Sequence, residues 1–172
     1  MLIKTYVDTI KPIDYSPGAA MQMMGEMKMK KVYYGVEKEG FYGAYFESKD
    51  PSNRCMIAML GDAIDDRMAV SAVKWLHHRG CNVMTMSPAK KDYGHHNYPL
   101  ERIERAIEAI KSIGNRKIGI VGASTTGMLA LVAASYYKDI SLTIAMTPCD
   151  FVMEGFYQDG NCLLYTSPSP RD

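Results

Sequence analysis

Several things this chain does not have limit its chemistry before any motif is read. It has no excess of charge of either sign: 20 Lys and Arg stand against 19 Asp and Glu, a formal net charge of +1. That balance gives no electrostatic reason to expect nucleic acid or an anionic membrane as a partner. Its four cysteines, Cys55, Cys81, Cys149 and Cys162, are widely spaced and form no C-x-x-C pair. They read as reduced, mostly buried thiols of a cytosolic protein rather than a disulfide framework. No apolar run approaches the ~18 residues of a membrane span, and the first residues, Met1 to Asp8, lack the apolar core of a signal peptide. The expected location is therefore cytoplasmic, with no membrane partner. Histidine is missing from the chain after residue 96, since His77, His78, His95 and His96 are the only ones. Adjacent pairs do not have zinc-ligand spacing, so no metal and no cofactor is expected. His77 and His78 close a helix, where an imidazole suits the terminal carbonyls, and His95 and His96 fall in a polar loop.

What is present is enough for one domain with a core: 172 residues, 47% of them hydrophobic. Residues 1–30 carry Pro12, Pro17, Gly18 and a methionine cluster, and their structure is left open. Lys31 to Glu37 and Phe41 to Glu47 read as a β-hairpin joined by a turn at 38–40. Cys55 to Leu60 is apolar without a break, as a strand buried on both faces would be, and Gly61 ends it. From Asp66 to Arg79, Ala69, Ala72, Val73 and Leu76 fall at helical spacing behind an aspartate cap, with Gly80 as the stop. Asn82 to Met86 is a short strand. Pro99 opens a second helix with a stripe of Ile103, Ala106, Ile107 and Ile110, and Glu101 and Arg105 form an i, i+4 pair on its outer face. Lys117 to Val121 is the next strand, Thr126 to Tyr137 a helix apolar nearly all round, and Ser141 to Met146 another buried strand. Strands alternating with helices predict a mainly parallel sheet covered on both faces, with its site beyond the carboxyl ends of the strands.

Lys-Ile-Gly-Ile-Val-Gly-Ala-Ser-Thr-Thr-Gly, residues 117–127, is the most informative stretch. A β-branched run meets small residues around one serine, and helix formers follow at once. A turn that sharp puts its central side chain clear of the sheet and tolerates only small neighbours. Ser124 is that side chain, in a G-x-S-x-G pattern whose second glycine is replaced by Thr126, with Gly127 one place late. A phosphate loop is excluded because Met128 stands where lysine is needed. Two other readings stay open here: a dinucleotide fingerprint, and a plain turn in which Ser124 caps the following helix. Ser124, the 61–63 loop, Ser87 and residues 147–150 all fall at strand carboxyl ends, which favours a catalytic elbow.

With those residues, the chain resembles the α/β-hydrolases. Ile-Gly-Ile-Val-Gly-Ala-Ser-Thr-Thr-Gly-Met together with Leu-Thr-Ile-Ala-Met-Thr-Pro-Cys-Asp-Phe-Val is similar to the C-terminal catalytic domain shared by acyl-CoA thioester hydrolases and bile acid-CoA:amino acid N-acyltransferases, over about residues 31–160. The resemblance implies an α/β-hydrolase fold, a Ser-Asp-His or Cys-Asp-His triad and an acyl-enzyme. Ser124 would be the nucleophile, and serine there leans towards hydrolysis. The backbone N–H groups of Thr125 and Asp62 would form the oxyanion hole, although Asp62 reads almost as well as a cap for the next helix. The expected substrate is a small-molecule acyl thioester or ester. A carboxylesterase or serine peptidase of the same fold is the nearest alternative, and a non-catalytic α/β domain that keeps the elbow is the other class. Since the family's acid and histidine follow the serine, none of the four histidines can be its base. Residues 162–172 look like a translated sequencing adapter, so the expectation is a partial domain over 31–161 whose acid and histidine lie outside it.

Overall fold

Six strands form one sheet in the order β1-β2-β4-β3-β5-β6, and the apolar runs occupy its centre. The computed structural model describes residues 31–61, 63–87 and 98–150, and the backbone of 155–159 and 162–166. The expectations for residues 1–30, for Asp62 and for His95 and His96 lie outside the described residues. The strands are β1 Lys31–Tyr34, β2 Gly43–Phe46, β3 Arg54–Met59, β4 Asn82–Met86, β5 Lys117–Ala123 and β6 Ile140–Met146. The helices are α1 Val36–Glu39, α2 Arg67–His77, α3 Glu101–Ser112 and α4 Thr125–Tyr136. As expected, β4, β3, β5 and β6 pair parallel with one another, and β5 lies inside that run with β3 on one side and β6 on the other. β1 and β2 pair antiparallel, and β2 pairs antiparallel with β4.

Alternation along each central strand explains why helices cover both faces. Cys55, Ile57 and Met59 join Ile118, Ile120 and the α3 stripe Ile103, Ile107 and Ile110 in one core. Met56 and Ala58 face the other way and pack with Val121, Val83 and the α2 residues Val73 and Leu76. Successive side chains of a strand point to opposite faces, so a strand inside a doubly covered sheet must be apolar throughout. Full burial of each of these Ile, Val or Leu side chains stabilises the fold by about 1.5–3 kcal/mol. Among the described residues no helix is long and apolar enough to cross a membrane.

Three expectations are corrected. The link between β1 and β2 is not a bare turn at 38–40: residues 36–39 make a single helical turn, and the Gly35 N–H donates to the Glu39 carboxylate at 2.7 Å. Phe41 is buried and stacks on Tyr34, with ring centroids 5.0 Å apart, which fixes the reversal. Arg105 pairs with Glu108 at 3.0 Å, an i, i+3 contact, where Glu101 was the expected partner. β6 is an edge strand and not a strand buried on both faces, with Leu142 53% and Met146 41% exposed. Its composition suits a covered sheet, but burial depends on what packs against it. Beyond it, β7 Gly155–Asp159 and β8 Cys162–Thr166 pair antiparallel as a separate two-stranded sheet, so the segment read as adapter-derived contributes a strand outside the main sheet.

Candidate active site

Ser124 stands where β5 ends and α4 begins, with φ 53° and ψ −121°. A non-glycine residue rarely takes such a conformation, which mirrors the extended one and costs about 1–3 kcal/mol. The surroundings hold it there. The Ser124 N–H donates to the Met146 carbonyl at the end of β6, at 2.9 Å, and the Ser124 carbonyl accepts from Met128 N–H at 3.1 Å, which starts the helix. Gly122 permits the tight return of the chain: a Cβ there would strike the Thr126 carbonyl and come within 2.8 Å of the Gly127 nitrogen. Ser124 itself is exposed, and although it occupies the N-cap position its side chain makes no capping hydrogen bond. The plain reading, a serine serving as a helix cap, therefore loses its physical basis.

Thr125 is the first residue of α4, at the positive end of the helix dipole. On the neighbouring strand, Met59 is in register with Gly122, so the loop that starts at Leu60 leaves the sheet beside the elbow. Gly61 holds φ +103°, and a Cβ on it would collide with the Asp66 carboxylate. That carboxylate accepts from Ala69 N–H at 2.8 Å, the N-cap bond of α2, and from Ala63 N–H at 3.1 Å. Asp66 thus takes the capping role, and the Ala63 amide is already occupied.

His77 stands apart from this end. His77 Nε2 lies 3.4 Å from the Phe46 carbonyl, and Phe46 is in register with Val83 near the amino end of β4. β2 runs antiparallel to β4, so His77 sits at the opposite end of the sheet from Ser124. Burial is the main cause that pushes its pKa below the ordinary imidazole value, and neighbouring His78 adds to this against the Phe46 carbonyl. The Cys55 thiol is fully buried and its pKa is raised by desolvation, which makes it inert. Cys149, three residues past β6, is half-buried. No group of three or more His, Cys, Asp or Glu among the described residues could hold a metal ion. A shallow concavity lined by Pro51 to Arg54 lies at the amino end of β3, away from the elbow.

Two features of the site could not be read from the motif. Thr147, just past β6, also holds a positive φ of 43°, beside the carbonyl that fixes Ser124. Thr126 is buried, and its Oγ1 lies 2.7 Å from the Met59 carbonyl, a bond across 67 residues of chain. The only signal for the second was the threonine in place of glycine.

No family model and no curated protein matches the chain. Among solved structures it is similar to an esterase of Pyrobaculum calidifontis, at 16% identity and a TM-score of 0.55 over 74% of this chain and 48% of that one. It is also similar to an esterase of Pyrococcus furiosus, at 15% identity and a TM-score of 0.52 over 67% of this chain and 53% of that one. The chain spans about half the length of these esterases. The mainly parallel six-stranded sheet with its helices agrees with that likeness, and the chain has the α/β-hydrolase fold.

Proposed function

We propose that this chain carries the nucleophile half of a serine acyl hydrolase, with Ser124 as nucleophile and an acyl thioester as substrate. The observation that carries the reading is the exposed Ser124 at φ 53°, held in a costly conformation beside the end of β3 with no capping bond to account for it. Strain of this kind persists where surrounding structure over-determines it, and it clusters at active sites. In the reaction, Ser124 Oγ attacks the acyl carbon while a histidine base takes its proton. The oxyanion is received by the Thr125 N–H and by an amide of the 60–62 loop, with Asp62 as the favoured donor. Collapse breaks the carbon–sulfur bond, the thiolate leaves as thiol with the proton from the histidine, and water then releases the acid from the acyl-enzyme. In such triads the acid and then the histidine follow the serine along the chain, and no histidine follows Ser124 in this sequence.

The thioester class rests on the sequence resemblance around 118–128 and 142–152. A carboxylesterase is the second reading, favoured by the two solved esterases, whose likeness spans 74% and 67% of this chain. The test compares wild-type full-length protein with Ser124→Ala and Cys149→Ala on acyl-CoA and p-nitrophenyl esters, following thiol or phenolate release. Ser124→Ala is expected to lower turnover by on the order of 10⁶ with stability changed by no more than about 0.5 kcal/mol, and Cys149→Ala to leave turnover intact. Turnover of esters but of no thioester would select the second reading. Activity that survives Ser124→Ala and vanishes with Cys149→Ala would overturn both.

A further inference from the structure

We infer that Thr126, the residue that departs from G-x-S-x-G, is a positioning residue whose hydroxyl holds the end of β3 against the elbow and so sets Ser124 relative to the loop beginning at Leu60. The inference rests on the nucleophile reading above and adds a residue that the motif would leave out. It begins with where the sheet's own hydrogen bonding stops. The β3–β5 pairing runs from Arg54 and Lys117 to Met59 and Gly122 and ends there, because β5 leaves the sheet to form the turn. On the other side the backbone continues the connection: the pairing of β5 with β6 reaches Ala123 and Met146, and the Ser124 N–H then donates to the Met146 carbonyl. On the β3 side a side chain replaces the missing backbone bond. The single proton of Thr126 Oγ1 has the Met59 carbonyl at 2.7 Å as its nearer acceptor, with the Ala123 carbonyl at 2.9 Å, and the same oxygen accepts from Ala123 N–H at 3.0 Å.

One oxygen therefore binds the last residue of β3 and the residue just before Ser124. Met59 is followed at once by Leu60 and Gly61, the loop that supplies the second oxyanion donor in the proposed reaction. A glycine at position 126 would allow the turn but could not make this bond. With glycine, the spacing of nucleophile and loop would depend on packing alone; here a buried hydrogen bond fixes it. Thr126 is only 7% exposed, so water does not compete for its partners. An oxyanion hole works only if its donors are already in place when charge develops, and a displacement of about 1 Å can cost roughly a hundredfold in rate.

The experiment uses the full-length protein with Thr126→Ser, Thr126→Val and Thr126→Gly. It measures kcat and KM on a p-nitrophenyl ester, the rate at which a fluorophosphonate labels Ser124, and the melting temperature. Valine keeps the shape and removes the hydroxyl; glycine restores the family pattern, also without it, and carries the test if the valine variant does not fold. Expected is a fall in kcat of roughly ten- to a hundredfold for Val and Gly, with KM within about twofold, slower labelling in proportion, and recovery to within about threefold in Ser. A merely structural threonine would move the melting temperature and leave kcat in place. The inference is overturned if Val and Gly keep wild-type kcat, if only KM changes, or if Ser loses as much as Val. A wild type that neither turns over the ester nor takes the label would instead remove the nucleophile reading and this inference with it.

Discussion

At the amino end of the parallel strands, polar side chains are buried and fully engaged; at the carboxyl end, a polar side chain is exposed and the backbone is strained. Asn82 donates to the Asn115 side chain at 2.7 Å and to the Ser52 carbonyl at 3.0 Å, and accepts from Ser48 N–H at 2.9 Å. Asn115 in turn donates to the Tyr45 hydroxyl at 3.3 Å and to the Ile110 carbonyl at 3.4 Å. This network joins the chain entering β3, β4 and β5 to β2, and among the described residues no buried side-chain nitrogen or oxygen lacks a partner. Ser124 and Thr147 at the other end hold φ values of 53° and 43°, outside the region that side-chain-bearing residues prefer. The difference teaches where this fold keeps its stability and where it gives some up. Buried hydrogen bonds at one end fix the strands, and that rigidity can hold a turn in a conformation it would not adopt alone.

Three substitutions probe that contrast. Gly122→Ala should have the largest effect, because its Cβ has nowhere to go between strand and helix. A loss of more than about 3 kcal/mol in urea unfolding is expected, together with loss of Ser124 labelling. A near-neutral result would mean that the elbow is looser than its geometry. Asn82→Ala comes next. It leaves the buried Ser48 N–H, the partly buried Ser52 carbonyl and the Asn115 amide oxygen each short of a partner, and about 2 kcal/mol of stability should go while kcat stays within about twofold of wild type. If kcat fell as far as stability, the two ends would not be separable. The smallest effect is the most pointed. Ser124→Gly removes the hydroxyl and lets the turn adopt φ 53° without a Cβ penalty, so it should be about 1 kcal/mol more stable than Ser124→Ala while being equally inactive. Equal stability of the two variants would show that the turn stores no strain.

Local pattern alone determined a good part of this protein. A continuous apolar run marked β3 and an apolar, β-branched one marked β5, since a strand covered on both faces has little room for polar side chains. The spacing of Ala69, Ala72, Val73 and Leu76, and of Ile103, Ala106, Ile107 and Ile110, marked the buried stripes of α2 and α3, and all eight residues are buried. Small residues around one serine between a strand and a helix marked the elbow, because sterics permit little else there. What the tertiary structure decided depends on partners distant in sequence. That β5 pairs with β3 and β6 is a matter of sheet assembly. That β6 forms an edge despite its apolar composition follows from having β5 alone beside it. The 36–39 helical turn arises because the Glu39 carboxylate can reach back to Gly35 and Phe41 finds Tyr34. Thr126 is the sharpest case: from sequence it is a departure from a motif, and only the approach of Met59 across 67 residues gives its hydroxyl an acceptor. Periodicity records which face of an element will be buried, but a hydrogen bond between chain segments exists only once both have been brought together.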